Sequence, residues 1–207
     1  MIDTAFFITS FVTLFVIIDP IGLTPMFVAL TQGLSVQKRR AIAIRATLVS
    51  AGILALFAVF GESLLGFIGI SMAAFKIAGG ILLLLTALDM LFERRTQRRE
   101  DKGEEAVNDP SIFPLAMPLI AGPGALATMI LLMGQPNMDI LGYVLVTGVM
   151  IAVVACVFIL FLAASPMERL LGDTGIKVVT RLLGMLLAAL SVQFVLDGLR
   201  DVGVIGV

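Results

Sequence analysis

The residues of this chain whose types and spacing could do chemistry are concentrated in one stretch, Asp19-Pro20-Ile21-Gly22-Leu23-Thr24-Pro25, inside a long apolar segment. Proline removes a backbone donor and clashes with the preceding helical turn, and glycine loosens the chain. A carboxylate inside a membrane is costly and usually functional. The second half of the chain repeats the disruption at residues 121–125, Ala-Gly-Pro-Gly-Ala. Two interrupted membrane helices in corresponding positions indicate a transport site.

The composition predicts an integral membrane protein. Of 207 residues, 59% are hydrophobic and 14% charged, and the mean hydropathy is +1.11, whereas soluble domains carry about 25% charged residues. The net charge of −1 gives no reason to expect a nucleic-acid partner. With no histidine and one cysteine, Cys156, the chain lacks the usual ligands for soft metals. We therefore predict no metal site and no cofactor, and any proton coupling must use carboxylates.

Six apolar segments are each near the ~20 residues that cross a bilayer. They cover residues 5–31, 42–62, 70–91, 112–133, 140–164 and 177–198. The first segment is too long for one straight crossing, so we expect an unwound stretch or re-entrant turn at residues 19–25 to take up the excess. The N-terminus has no basic region or cleavage site typical of a signal peptide, so the first helix is expected to be retained.

Lysine and arginine predict the orientation, because they favour the cytoplasmic side. They follow segments one, three and five, whereas the short connections 63–69 and 134–139 contain neither residue. If six segments cross in turn, all the positive loops lie on one side. The N- and C-termini then face outside.

The charged run around Glu93 to Asp109 divides the chain into two halves. We interpret the whole chain, 1–207, as one transmembrane domain with repeats 1–91 and 112–207 joined by a cytoplasmic linker, 92–111. Pairs that match between the halves are Pro20 with Pro123, Leu23 with Leu126, Met26 with Met129, Lys76 with Arg181 and Gly79 with Gly184. Three crossings per half give the halves opposite senses. The predicted fold is all-α, an inverted 3+3 repeat with helices one and four broken.

The breaks are the candidate ligand site. Unwound backbone in a membrane must face protein or water. The N-terminus of a half-helix suits a carboxylate and exposed carbonyls suit an ammonium, so together they suit a small zwitterion. The predicted substrate-binding residues are Gly22, Thr24, Pro25, Gly122, Pro123, Gly124 and Thr128.

Alternatives stay open for the individual polar side chains of the site. Asp19 either caps a second half-helix, takes a proton or cation from a cavity, or does both. Thr24 and Thr128 either contact the ligand or bond back to a carbonyl in their own helix. Lys76, Arg181, Asp89 and Asp197 lie near segment ends, where snorkelling or pairing between the halves is favoured over ligand contact.

At these residues the chain resembles a known family. The stretch from Ile18 to Phe27, the basic Lys38-Arg39-Arg40-Ala41 and the stretch from Pro114 to Gly124 are similar to the MarC family of bacterial inner-membrane proteins. The resemblance covers essentially the whole chain. It implies six crossings, an inner-membrane location and kinship with LysE-like exporters. Some members, of the SnatA type, are described as transporters of glycine, alanine and similar neutral amino acids.

Three functions remain in competition. The leading hypothesis is a secondary transporter of small neutral amino acids coupled to protons, since the chain has no phosphate-binding loop for an ATPase. The second is export of another solute, a metal ion or drug-like compound. The third is an intramembrane enzyme using Asp19 and Asp89, but we expect no enzyme because Asp89 lacks a flexible glycine context. The expected partners are the substrate and the bilayer, and a homo-oligomer is compatible with the sequence.

Overall fold

The computed structural model describes residues 4–92, 109–135 and 138–204, and every regular element in these ranges is helical. The helices are α1 (Thr4–Ile18), α2 (Pro20–Leu30), α3 (Val36–Ile68), α4 (Met72–Leu91), α5 (Ser111–Ile120), α6 (Pro123–Met133), α7 (Ile140–Leu162) and α8 (Ala164–Asp201). Most of the charged linker, residues 93–108, lies outside the described residues, as do 136 and 137.

These helices supply up to six membrane crossings. Five are long and apolar enough as they stand, with α1 and α2 together forming the first, Ala5–Leu30. The sixth consists of α5 and α6, which are bent by 55° where they join. The prediction of an all-α, polytopic membrane protein is confirmed. The second segment, expected at 42–62, is longer and runs from Val36 to Ile68.

Polar caps explain where several helices begin. Ser35, Ser71 and Asp139 each accept a hydrogen bond from the backbone N–H three residues later, which satisfies a donor at the helix start. At Gly172 the backbone of α8 leaves the helical conformation, with φ of 59°, so the apolar span of that helix is Thr174–Asp201.

Among the described helices, the most extensive packing joins α4 to α8, and it depends on small residues. A Cβ placed on Gly80 would lie 2.7 Å from the carbonyl oxygen of Ser191, and one on Gly198 would lie 2.9 Å from that of Ala73. Only glycine lets the two backbones approach this closely. Residues early in α4 therefore meet residues late in α8, so the two helices run antiparallel.

Two phenylalanines and an arginine join α2, α3 and α7. The rings of Phe27 and Phe161 stack with centroids 4.3 Å apart, and the Arg39 guanidinium lies 5.7 Å from the centroid of Phe27. Arg45 also forms an ion pair with Asp109, just before α5. Hydrogen bonding from Ser111, with a smaller contribution from the Arg45 charge, holds the pKa of Asp109 below its usual value.

Candidate functional site

The first break is a single residue. Asp19 has left-handed backbone angles, with φ of 56° and ψ of 62°, between the end of α1 and the start of α2. Its N–H donates to the carbonyl of Phe15 at 2.9 Å, so α1 continues up to this point. The expectation that residues 19–25 unwind is therefore wrong, because the helix resumes at Pro20. Proline is favoured at the first helical position because it has no N–H that would need an acceptor there. The helix can therefore begin again directly after Asp19.

Asp19 is the N-cap of α2. Its Oδ1 accepts a hydrogen bond from the N–H of Gly22 at 3.0 Å, and the side chain is completely buried. A Cβ on Gly22 would lie 2.1 Å from Asp19 Oδ2, so position 22 must be glycine for the carboxylate to sit there. The amide of Gly22, which was expected to be open to a ligand, is thus used by the protein itself.

The other two predicted residues of the first half are also held inside α2. The Thr24 hydroxyl donates to the carbonyl of Pro20 at 3.0 Å and is completely buried, so the back-bonding alternative describes this side chain. Pro25 lies within the helix and is half-buried. Pro25 has no N–H and cannot donate a hydrogen bond to the preceding turn. One carbonyl of that turn therefore lacks its usual helical donor.

The second break is wider than the first and begins earlier than predicted. Helix α5 is irregular, with extended backbone angles at Phe113 and Met117, each followed by a proline. Its last bond runs five residues back, from the Ala121 N–H to the Ala116 carbonyl at 2.9 Å. The sequence reading placed the break at 121–125 and missed the irregular turn before it. The signal was present as two prolines four residues apart, 114 and 118.

At the end of this irregular stretch, Gly122 precedes α6 and no side chain caps that helix among the residues described. A Cβ on Gly122 would lie 2.4 Å from the carbonyl oxygen of Pro118. Any larger residue would collide with backbone, which cannot swing away as a side chain can. The bend between α5 and α6 therefore requires glycine here.

The two breaks lie against each other, although Pro123 at the second break is exposed. A Cβ on Gly124 would lie 3.3 Å from Ile17 Cγ2, 3.3 Å from Leu83 Cδ2 and 3.9 Å from Thr86 Oγ1. Ile17 is two residues before Asp19, so the first turn of α6 packs on the end of α1 beside the first break. Thr86 also lies at this junction, with its hydroxyl donating to the Leu82 carbonyl at 3.0 Å.

One buried hydroxyl at the junction differs from the others. Six buried serines and threonines donate to a carbonyl three or four residues earlier in their own helix: Ser10, Thr24, Thr31, Thr47, Ser50 and Ser191. Thr128 is also completely buried, yet its Oγ1 has no hydrogen-bond partner in the part of the chain that the structure describes, a property it shares with Ser111 at the start of α5 and with Thr180. Thr128 lies one turn after Gly124, on the side of α6 that faces α1 and α4.

The charged residues near the helix ends lie in contacts outside this junction. Lys76 Nζ donates to Asp201 Oδ2 at 2.7 Å and joins α4 to α8. Asp197 accepts from Gln193 at 2.8 Å and from Arg200 at 3.3 Å, both in its own helix. The predicted pairing between halves is found for Lys76, with a partner that the sequence reading had not named.

Ser50 was also missed by the sequence reading. Its hydroxyl lies 2.7 Å from the Ala46 carbonyl and 3.5 Å from the Ala116 carbonyl, so α3 contacts the irregular backbone of α5. A serine in the middle of an apolar helix carries no spacing signal, since its usual role is to bond back within the helix.

Comparison with known proteins agrees with this architecture. The sequence matches the family described as MarC family integral membrane protein over residues 4–202. The chain belongs to the MarC family. Similar MarC relatives include the UPF0056 membrane protein MJ1677 of Methanocaldococcus jannaschii, 36% identical over 96% of this chain and 98% of that protein. A UPF0056 membrane protein of Archaeoglobus fulgidus is 40% identical over 95% and 93% of the two chains.

A third relative is named by its location. The UPF0056 inner membrane protein YhgN of Escherichia coli strain K12 is 34% identical over 93% of this chain and 95% of that protein. The names of these three relatives describe membrane proteins and state no substrate. No solved structure matches the chain. The resemblance to the MarC family found in the sequence is confirmed.

In this MarC chain the predicted site residues separate into two groups. Gly22 and Thr24 are bonded within the protein, through the Asp19 carboxylate and the Pro20 carbonyl. Gly122 and Gly124 form the bend and first turn of α6, and Thr128 follows without a hydrogen-bond partner in the described residues. The groups that could still accept a ligand therefore belong mainly to the second break.

Proposed function

We propose that this chain is a secondary transporter that carries small neutral amino acids across the inner membrane, coupled to protons. The observation that carries the proposal is the meeting of the two breaks, where Gly124 packs against Ile17. Helices broken near mid-membrane are the usual means by which transporters present backbone groups to polar substrates. The resemblance to MarC members of the SnatA type supports the choice of amino acids.

The chemistry of the junction suits a zwitterion. The start of α6 offers a helix N-terminus, which favours a carboxylate. Four prolines lie at the breaks and donate no hydrogen bond: 20, 25, 118 and 123. Carbonyl oxygens in the turns before them therefore lack their usual helical donors and can accept hydrogen bonds from an ammonium group. The neighbouring side chains of Ile17 and Leu83 are apolar, which suits a small substrate side chain.

Asp19 is the proposed coupling group. It is completely buried at the break and holds the first turn of α2 through the Gly22 N–H. A proton on this carboxylate weakens it as an acceptor, so protonation and the geometry of the break are coupled. The chain contains no histidine, so a carboxylate has to carry a coupling proton.

The membrane arrangement completes the proposal. The positive loops support a cytoplasmic location for the connections after crossings one, three and five, with both termini outside. The antiparallel packing of α4 on α8 supports repeats 1–91 and 112–207 of opposite sense, and the name of the YhgN relative supports an inner-membrane location. The proposal assigns no enzymatic activity to the chain.

Uptake into proteoliposomes tests the proposal. Purified protein is reconstituted, and accumulation of radiolabelled glycine and alanine is measured with and without an imposed pH gradient. We expect uptake above that of empty vesicles, stimulated by the gradient, and loss of the stimulation in Asp19→Asn. Equal counts in protein-containing and empty vesicles under both conditions would reject amino acid transport. A reproducible change in metal or drug tolerance of a deletion strain would then favour export of another solute.

A further inference from the structure

The two half-helices that meet at the junction begin differently. Both α2 and α6 are 11 residues long and have proline at the first helical position, Pro20 and Pro123. The residue before that proline is Asp19 in the first half and Gly122 in the second. Asp19 places a carboxylate on the N-terminus of α2. Gly122 has no side chain to place on α6.

The geometry at Gly122 prevents the protein from capping α6 there. A Cβ would lie 2.4 Å from the Pro118 carbonyl oxygen, so no residue with a capping side chain fits. Pro123 has no N–H, and the N–H of Leu126 already donates to the Gly122 carbonyl at 3.0 Å. The donors of the first turn are then the N–H groups of Gly124 and Ala125. In a membrane, such donors need an acceptor.

Thr128 adds a further donor group one turn along the same helix. Its hydroxyl is completely buried and has no hydrogen-bond partner in the described part of the chain. Side chains on an α-helix lean toward its N-terminus, so a residue one turn after Gly124 directs its side chain at the first turn of α6. A buried hydroxyl without a partner is costly, and a bound polar ligand would supply the missing acceptor.

We propose that the N-terminus of α6, together with the Thr128 hydroxyl, is the subsite for the carboxylate of the substrate. The N-terminus of α2 is not an anion site, because Asp19 already occupies it. The two breaks thus have unequal roles, although their sequences match. The substrate class is a small monocarboxylate whose carboxylate is required for binding. The assignment rests on the proposed function for the identity of that substrate as a neutral amino acid.

Competition binding separates the carboxylate from the ammonium. Radiolabelled alanine is bound to detergent-solubilised protein and displaced by unlabelled alanine, by propionate, which lacks the ammonium, and by alaninamide, which lacks the carboxylate. We expect propionate to displace alanine. Alaninamide should require a concentration at least about tenfold higher than unlabelled alanine does, because it has no carboxylate to accept a strong, charge-assisted hydrogen bond from the protein. Displacement by alaninamide as effective as that by alanine overturns the assignment.

Variants at Thr128 supply the second arm. Thr128→Val should weaken alanine binding about tenfold, and Thr128→Ser, which keeps the hydroxyl, should restore it to within about threefold. The matched control is Thr47→Val, because the Thr47 hydroxyl is bonded to the Ala43 and Ile44 carbonyls and we expect no change in binding. Melting temperatures confirm that each variant is folded. Wild-type affinity in Thr128→Val contradicts the proposal.

The design also separates this inference from the proposed function. If alanine does not bind at all, amino acid transport fails as a function. The subsite is then tested by thermal stabilisation with propionate against ethylamine, since a ligand bound to the folded protein raises its apparent stability. Stabilisation by propionate that Thr128→Val removes supports the subsite, and no stabilisation by propionate overturns it.

Discussion

Replacing Gly22 with alanine tests how the first break is built. The new Cβ would lie 2.1 Å from Asp19 Oδ2, 2.8 Å from its Cγ and 3.0 Å from its Oδ1. Ordinary van der Waals contact begins at 3.4 Å, so the whole carboxylate has to move. The Gly22 N–H then loses its acceptor inside the membrane.

The size of the effect follows from two destabilising contributions and one stabilising contribution. Loss of an N-cap costs about 0.5–2 kcal/mol, and burying the freed N–H adds about 1 kcal/mol. Alanine in place of a helical glycine stabilises by about 0.5–1 kcal/mol. We therefore expect Gly22→Ala to lower the free energy of unfolding by about 1–2 kcal/mol.

The effect of Gly22→Ala on the free energy of unfolding should change sign when the Asp19 carboxylate is absent. In an Asp19→Gly background no side chain is left to collide, and glycine tolerates the φ of 56° at position 19. Only the helix-forming advantage of alanine remains, so Gly22→Ala should stabilise that variant by about 0.5–1 kcal/mol. The coupling between the two positions is then about 2 kcal/mol, well above additive behaviour.

The assay is reversible unfolding of the wild type, both single variants and the double variant in one detergent, followed by circular dichroism. Melting temperatures give a second measure, at about 2–4 °C per kcal/mol for a chain of this size. If Gly22→Ala has the same effect in both backgrounds, the Asp19 carboxylate does not occupy the start of α2 and the reasoning is refuted.

Three further predictions concern the rest of the fold. Gly122→Ala should destabilise the protein by about 2 kcal/mol or more and abolish uptake, because its Cβ meets backbone. Gly148→Ala in α7, where nothing lies within 4 Å, should leave the melting temperature equal or higher, and equal losses in both variants would contradict the steric explanation. Asp201→Ala should lower stability by about 1–2 kcal/mol by leaving the mostly buried Lys76 ammonium unpaired, and adding Lys76→Met should recover most of the loss in a double-mutant cycle. Because the pKa of Asp109 is lowered below 3.8, Asp109→Asn should reduce the melting temperature at neutral pH, and the difference from wild type should disappear as the pH falls below that value.

The fold was largely predictable because the bilayer imposes lengths that composition reveals. Helix type and the apolar segments follow from apolar runs near the bilayer thickness, and the structure has five such spans, or six if α5 and α6 form one. Boundaries were less accurate, as at α3, since a helix can extend beyond the membrane into water with no change in periodicity.

The site was only partly predictable. Asp19, Gly22 and Pro25 suggested seven unwound residues, but the helix is interrupted only at Asp19. Glycine and proline show where a helix can break and not how far the break extends, since that depends on which neighbours accept the freed groups. For the same reason the irregular turn of α5 was missed.

The sequence alone determined the membrane class of the protein, the apolar segments that can cross the bilayer and the neighbourhood of the two breaks, because each depends on residue type and spacing along the chain. The unequal use of those breaks was decided only by the tertiary structure. The carboxylate of Asp19 closes the start of α2, whereas the Pro118 carbonyl excludes any side chain at Gly122, and no side chain of the described residues caps the start of α6. The partner of each backbone group depends on which atoms the fold brings within 3 or 4 Å, and no linear pattern contains that information.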